Sequence, residues 1–195
     1  MDVAPGAWRY AGVAAVLGLV AVPLSPIATA AGVAVAGFVL WFHRDPDREI
    51  PETGIVAPAD GKVSVIREEG DRLRVGVFMN LHDVHVNRAP LGGRVASVEH
   101  TPGAHRPAFS KESDRNERVR IAFPEHEVVL IAGAFARRIT PYVEAGDELE
   151  RGGRIGHVSF GSRADVLLPV GVERTDLLIE EGDRVRAGES AIARD

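Results

Sequence analysis

The chain contains no cysteine among its 195 residues. Disulfide frameworks, thiolate metal sites and cysteine nucleophiles are therefore excluded. Lysine occurs only at Lys62 and Lys111, so a carrier domain with a modifiable lysine at a hairpin tip has little to work with. Aromatic residues make up 6% of the chain, which leaves Val, Ile, Leu and Ala to build the core. An excess of positive charge is also missing. The 28 acidic residues outnumber the 23 basic ones, for a formal charge of -5, and this gives no electrostatic footprint for nucleic acid.

Charge is missing in another way between Tyr10 and Phe42, where no charged side chain occurs. Pro23 and Pro26, with Ser25 between them, interrupt this run, and proline removes a backbone donor and clashes with the preceding turn. The pattern predicts two helices, about 11–22 and 27–42. Each would reach roughly 20–24 Å at 1.5 Å per residue, short against a hydrocarbon core of ~30 Å. Either a helical hairpin or a single kinked span fits the membrane. Arg9 precedes the run, and Arg44 and Arg48 follow it. Basic flanks on both sides favour the hairpin, with both ends cytoplasmic. A buried soluble hairpin is the alternative.

After Arg48 the composition changes. Residues 49–195 read as short strands separated by Gly, Pro and Asp. Apolar positions alternate over 61–66, 72–79 and 118–123, and 127–132 is a continuous apolar run suited to a buried strand. No stretch beyond residue 50 sustains a helical period. The expectation is a mainly β protein: an N-terminal membrane-anchoring helical segment (1–48) and one sandwich- or barrel-like domain (49–195). An internal echo supports short, similar turns. Gly146-Asp147-Glu148-Leu149-Glu150-Arg151-Gly152 matches Gly182-Asp183-Arg184-Val185-Arg186-Ala187-Gly188 as G-D-x-[L/V]-x-x-G. The glycines suit positive-φ turns, and the pattern resembles the turns of lipoyl and biotinyl carrier domains. Residues 101–117 read as a long polar loop.

Four places could carry chemistry. Gly161-Ser162 sets a hydroxyl beside an unhindered carbonyl, which that hydroxyl can attack under strain; taken alone it is also an ordinary turn. Pro58-Ala59-Asp60-Gly61 reads as a turn into a strand, or as an aspartate that orients a histidine. Asn80 to Pro90 packs His82, His85, Asp83 and Arg88 together, which suits a metal site, a general acid/base histidine or plain structure. In a strand His82 and His85 would face opposite sides. Lys111, Arg115 and Arg118 are cations suited to a phosphate head-group or to a solvated loop.

Taken in order, these motifs resemble the short-form phosphatidylserine decarboxylases, including the archaetidylserine decarboxylase type. Phe42-His43-Arg44-Asp45-Pro46-Asp47-Arg48 is similar to that family's aromatic-x-Arg-Asp/Asn-Pro-x-Arg signature. Ala57 to Val63 is similar to its Pro-x-Asp-Gly motif, and Asp83 to Pro90 to the segment with its essential histidine. Ala108-Phe109 through Lys111, Asn116-Glu117-Arg118, and Ile131-Ala132-Gly133 followed by Ala136-Arg137-Arg138-Ile139 resemble further family elements. Phe160-Gly161-Ser162-Arg163 falls at the short forms' cleavage site. The chain departs from the longer members twice: Phe-Gly-Ser-Arg stands for their Leu-Gly-Ser-Thr, and Arg88 stands where they carry a second histidine.

The resemblance implies self-cleavage between Gly161 and Ser162, with Ser162, His85 and Asp60 as the catalytic residues. His85 is the matching histidine that remains. Ser162 would become a covalent pyruvoyl group, the only cofactor implied, with no metal. The products would be a β-chain (1–161) and an α-chain (162–195), held as a heterodimer and open to further self-association. The implied substrate is a serine phospholipid, decarboxylated to the ethanolamine lipid at the cell membrane by a cytoplasmic catalytic domain. Arg88, Lys111, Arg115 and Arg118 are the candidate ligands of its phosphodiester. Two other readings use the same residues: a carrier-like module on a membrane hairpin, and a metallohydrolase built on His82 and His85.

Overall fold

The structure is a computed structural model that describes residues 2–23, 25–104, 106, 108, 115–134, 138–159 and 161–195. The chain divides into two units, Met1–Asp47 and Arg48–Asp195.

In the first unit, β1 (Asp2–Val3) leads into α1 (Ala7–Val20), and α2 (Pro26–Phe42) leads into β2 (Arg44–Asp45). The break expected at the prolines is there. Pro26 takes the first helical turn of α2, where its missing N–H costs nothing. Ser25 caps that helix by accepting from Ala28 N at 3.3 Å. The helices pack against each other where Gly18 meets Gly32, and antiparallel pairing of β1 with β2 ties their outer ends together. Helix α1 starts earlier than the charge-free run and takes in Trp8 and Arg9. No helix among the described residues is long and apolar enough to cross a membrane.

The second unit is built from strands. Its first five are β3 (Ile55–Val56), β4 (Gly61–Glu69), β5 (Arg72–Phe78), β6 (Val86–Arg88) and β7 (Gly93–Arg94). Next come β8 (Ser97–Thr101), β9 (Arg118–Ala122), β10 (Glu127–Ile131), β11 (Ile139–Pro141) and β12 (Glu148–Leu149). The last four are β13 (Arg154–Val158), β14 (Arg163–Leu167), β15 (Arg184–Val185) and β16 (Ala191–Ala193). A seven-stranded sheet runs in the order β15-β4-β5-β14-β10-β9-β8. One of its faces shares a single apolar core with the small sheets β11-β13-β6 and β16-β3. Val75, Val77, Val128, Leu130 and Val166 come from the large sheet, and Ile55, Ile155, Val158 and Ile192 from the small ones. The mainly β expectation holds: the three strands read from alternation are β4, β5 and β9, and the continuous apolar run is β10.

The echoing turns prove to be half of a larger internal repeat. Ala57-Pro58-Ala59-Asp60-Gly61-Lys62-Val63 and Ala89-Pro90-Leu91-Gly92-Gly93-Arg94-Val95 share A-P-x-x-G-[K/R]-V. Each packs on one of the G-D turns with the same bonds. Val63 N donates to Asp183 O at 2.9 Å, and Val95 N to Asp147 O at 2.8 Å. Gly188 N donates to Ala57 O at 2.9 Å, and Gly152 N to Ala89 O at 2.8 Å. The copies also exchange bonds, from Val56 N to Pro90 O at 3.0 Å and from Arg88 N to Pro58 O at 2.9 Å. This reciprocity is that of a local pseudo-twofold axis.

Gly61 sets the approach of β4 to β5. A Cβ at this position would lie 2.1 Å from the Phe78 carbonyl oxygen, so no other residue fits without moving a strand. The close approach brings Asp60 beside the end of β5. There Phe78 pairs with Arg163, the residue after Ser162.

Candidate active site

Ser162 lies just before β14 and is fully buried. Its Oγ donates to the Val158 carbonyl at 3.3 Å, and its own carbonyl accepts from Met79 N at 2.9 Å. Gly161 holds φ at +62° and a Cβ there would meet nothing within 4 Å. The demand for glycine is therefore conformational rather than steric, since a left-handed turn is costly for other L-residues.

His85 immediately precedes β6 and is 2% exposed. Its carbonyl accepts from Val158 N at 3.4 Å. Val158 thus joins the two residues, with its N–H on His85 and its carbonyl on Ser162.

Asp60 sits at the turn into β4. Its Oδ1 accepts from Arg48 Nη2 and from Ala187 N, both at 2.8 Å. Among the described residues Oδ2 accepts no hydrogen bond. Burial pushes the Asp60 carboxyl up from its ordinary range; the Arg48 charge and these two bonds oppose that, and Asp83 adds to it as a like charge. The hydrogen bonds of Asp60 thus go to Arg48 and Ala187 rather than to His85. Asn87 links the two sides of the site, with Nδ2 3.4 Å from Pro58 O and 3.5 Å from Met79 Sδ.

The candidate phosphate ligands do not form one cluster. Arg88 is buried and Nη1 donates to Gly152 O at 3.1 Å, inside the repeat. Arg115 is exposed and Arg118 half-buried at the start of β9. Lys111 lies outside the described residues, as do Phe109, Ala136, Arg137 and Phe160. The expected loop is pinned at its far end by Asn116, whose Nδ2 donates to Arg106 O and Ala132 O, each at 2.7 Å.

His82 and His85 part company: the His82 side chain is 58% exposed, while His85 is buried. No group of three or more His, Asp or Glu side chains among the described residues is arranged to hold a metal.

Sequence reasoning missed a buried ion cluster next to Ser162. Arg163 grips Asp165 with two bonds, Nε to Oδ1 at 2.7 Å and Nη2 to Oδ2 at 3.0 Å. Its Nη1 also donates to Ala108 O at 3.3 Å. Arg74 reaches the same carboxylate at 2.9 Å and clasps Glu69 on its other side. Asp165 is wholly buried. The departure from Leu-Gly-Ser-Thr is the one signal that pointed here.

The groups of this region with chemical capacity are a buried hydroxyl on Ser162 behind a left-handed glycine, a buried His85 linked to it through Val158, and the Asp60 carboxylate clamped by Arg48. The family model for phosphatidylserine decarboxylase matches residues 35–193. A Halobacterium salinarum protein, provisionally named an archaetidylserine decarboxylase proenzyme, is 62% identical over 191 residues, covering 97% of each chain. A Streptomyces avermitilis phosphatidylserine decarboxylase proenzyme is 50% identical over 167 residues, 83% of this chain and 76% of that one. A Methanopyrus kandleri relative, also provisionally named an archaetidylserine decarboxylase proenzyme, is 41% identical across 98% of both chains. The chain belongs to the phosphatidylserine decarboxylase family and is a decarboxylase of that type.

Proposed function

We propose that this enzyme cuts itself between Gly161 and Ser162 and then decarboxylates phosphatidylserine or archaetidylserine to the ethanolamine lipid. The observation that carries this reading is Ser162: fully buried, tethered to Val158 and preceded by a left-handed glycine.

His85 accepts the Ser162 Oγ proton as Oγ attacks the Gly161 carbonyl carbon. The Gly161–Ser162 C–N bond breaks and an ester forms. Loss of a proton from Cα expels the Gly161 carboxylate from Cβ. The remaining enamine takes up one water and releases one ammonia. The residues present suit the product. The Met79 N–H already holds the Ser162 carbonyl, and that carbonyl stays with the α-chain as the amide joined to Arg163. The pyruvoyl group supplies an electron sink for the carboxylate lost from the substrate. His85 is the donor that returns a proton to the substrate's α-carbon. Arg115, Arg118 and Lys111 are the cations for the phosphodiester, of which Arg115 has the exposure such a role needs, whereas Arg88 stays buried on Gly152 O.

Chains 1–161 and 162–195 stay together as a heterodimer because β14 of the second lies between β5 and β10 of the first. Higher assembly builds on that unit. The helical hairpin holds the enzyme on the cell membrane with the catalytic domain in the cytoplasm. Its support is the exposed apolar surface of Leu17, Leu19, Ile27 and Val33, and a lipid that keeps its tails in the bilayer requires such a seat. The twin Gly-Asp turns are the feature that relates the fold to lipoyl and biotinyl carrier domains.

The test is turnover of a serine phospholipid in mixed vesicles, read as ethanolamine lipid and carbon dioxide. Wild type is expected to turn over and Ser162→Ala not. Self-cleaved wild type that forms no ethanolamine lipid overturns the substrate assignment.

A further inference from the structure

The internal repeat separates what the fold needs at position 60 from what the chemistry needs. In the second copy Gly92 occupies the place of Asp60, and Arg151 that of Ala187. A Cβ on Gly92 would lie 3.3 Å from Arg151 N, just as the Asp60 side chain meets Ala187 N in the first copy. Both turns nevertheless close with matching bonds. Gly182 N donates to Val63 O and Gly146 N to Val95 O, each at 2.8 Å. The turn therefore forms without a carboxylate. Asp60 is an addition to the repeat, and an unfavourable one for stability, because burying a carboxylate costs free energy unless it is paired.

Its pairing comes from Arg48, which lies outside the repeated segments. The Arg48 side chain is 4% exposed. One arm donates to Asp60 Oδ1 at 2.8 Å, and the other is 3.6 Å from Glu189 Oε2. Glu189 is itself 3.5 Å from Arg186. The guanidinium is thus fixed at both ends. Together with Ala187 N it engages only Oδ1 and leaves Oδ2 for another donor. An aspartate that orients an imidazole needs this arrangement, with one oxygen anchored and the other on the ring.

We infer that Arg48 is the positioning residue of Asp60, keeping it ionised and turned so that Oδ2 serves His85 during attack by Ser162. Arg48 touches none of the reacting atoms. The charged groups around Asp60 are Arg48 from the segment before β3 and Asp83 from the loop before β6, with Glu189 behind Arg48. The inference rests on the self-cleavage reading, and one arm of its test does not.

In the first arm, full-length proenzyme is made by cell-free synthesis with membranes, and its cleavage is followed from pH 5 to 9. Wild type, Arg48→Lys, Arg48→Met and Glu189→Gln are compared. Arg48→Met should cleave about tenfold more slowly at pH 7, with its acid limb moved up by about one pH unit. Arg48→Lys should recover most of the rate and part of the shift. Glu189→Gln should move the limb the same way by less. Slowing without a shifted limb, or a lysine no better than methionine, means a merely structural role and overturns the inference. In the second arm the Asp60 carboxyl is titrated by carbon NMR in uncleavable Ser162→Ala, with and without Arg48→Met. Asp60 should titrate higher without Arg48, and an unchanged titration overturns the inference whatever the cleavage result. Wild type that never cleaves, with the Asp60 titration behaving as expected, removes Ser162 from the account and leaves Arg48 as the partner that fixes Asp60.

Discussion

Ser162 hangs from Val158: its Oγ donates to the Val158 carbonyl at 3.3 Å, four residues back along the same chain. The N–H of Val158 points the other way, to the His85 carbonyl at 3.4 Å. A strand residue with no chemistry of its own thus bridges Ser162 and His85.

The two copies of the repeat offer a controlled comparison of Gly61 and Gly93, whose φ values are +144° and +146°. A Cβ at 61 would strike the Phe78 carbonyl at 2.1 Å, whereas at 93 it would meet only Phe123 Cδ1 at 3.7 Å. Both alanine variants carry backbone strain of about 1–3 kcal/mol. Gly61→Ala adds an overpacking cost of about 1–3 kcal/mol. Denaturant unfolding of the two variants should therefore rank Gly61→Ala well below Gly93→Ala. Equal losses would show that the close approach at 61 is relieved by an easy strand shift.

The ion cluster beside Ser162 should be costly to open from its centre. Asp165→Ala leaves Arg163 and Arg74 buried without their shared acceptor, a loss of about 3–5 kcal/mol. Glu69→Ala should cost far less, because that side chain is 39% exposed and water replaces its contacts. Urea titration of both variants in the Ser162→Ala background measures the difference without interference from cleavage.

His126 should make the second unit, Arg48–Asp195, acid-sensitive. The ring lies stacked on Phe123 with centroids 4.2 Å apart. Burial and, secondarily, the charge of Arg72 push its pKa down to about 4. The unfolded chain takes up this proton near pH ~6.5, while the folded one resists until about 4. The unfolded state therefore binds more protons in that window, and stability falls as the pH drops through it. The total loss is about 3 kcal/mol. His126→Phe should flatten that part of the stability profile, and an unchanged slope would assign the acid sensitivity to other groups.

The hairpin should govern membrane binding and leave folding of the β unit alone. Leu17, Leu19 and Ile27 are 65%, 70% and 81% exposed. Each contributes about 1.5–3 kcal/mol when it leaves water for an apolar phase. Changing all three to serine should abolish flotation with lipid vesicles while self-cleavage continues. Undiminished flotation would remove the hairpin from the account of membrane attachment.

Much of this was legible in the sequence. Alternation located β4, β5 and β9, a continuous apolar run located β10, and the Pro23–Pro26 break located the turn between the helices. Strand β14 was not legible. Arg163 and Asp165 are charges on alternate positions, which reads as a solvated face until Arg74 and the pairing between them neutralise that face. Only half of the repeat was visible, because Asp60 and Gly92 differ where the two A-P-x-x-G segments would have been compared. The partners of Asp60 were also out of reach: Ala187 acts through its backbone N–H, which no residue type announces. Arg88 looked like a ligand by its charge, and its burial against Gly152 is a property of the turn it crosses.

The most direct measurement is intact mass under denaturing conditions for wild type and Ser162→Ala. The account predicts that wild type gives two species, residues 1–161 and residues 162–195 with a blocked N-terminus. Ser162→Ala should stay a single chain of 195 residues. A wild type that also stays whole in membranes and in detergent would contradict self-cleavage at Gly161–Ser162.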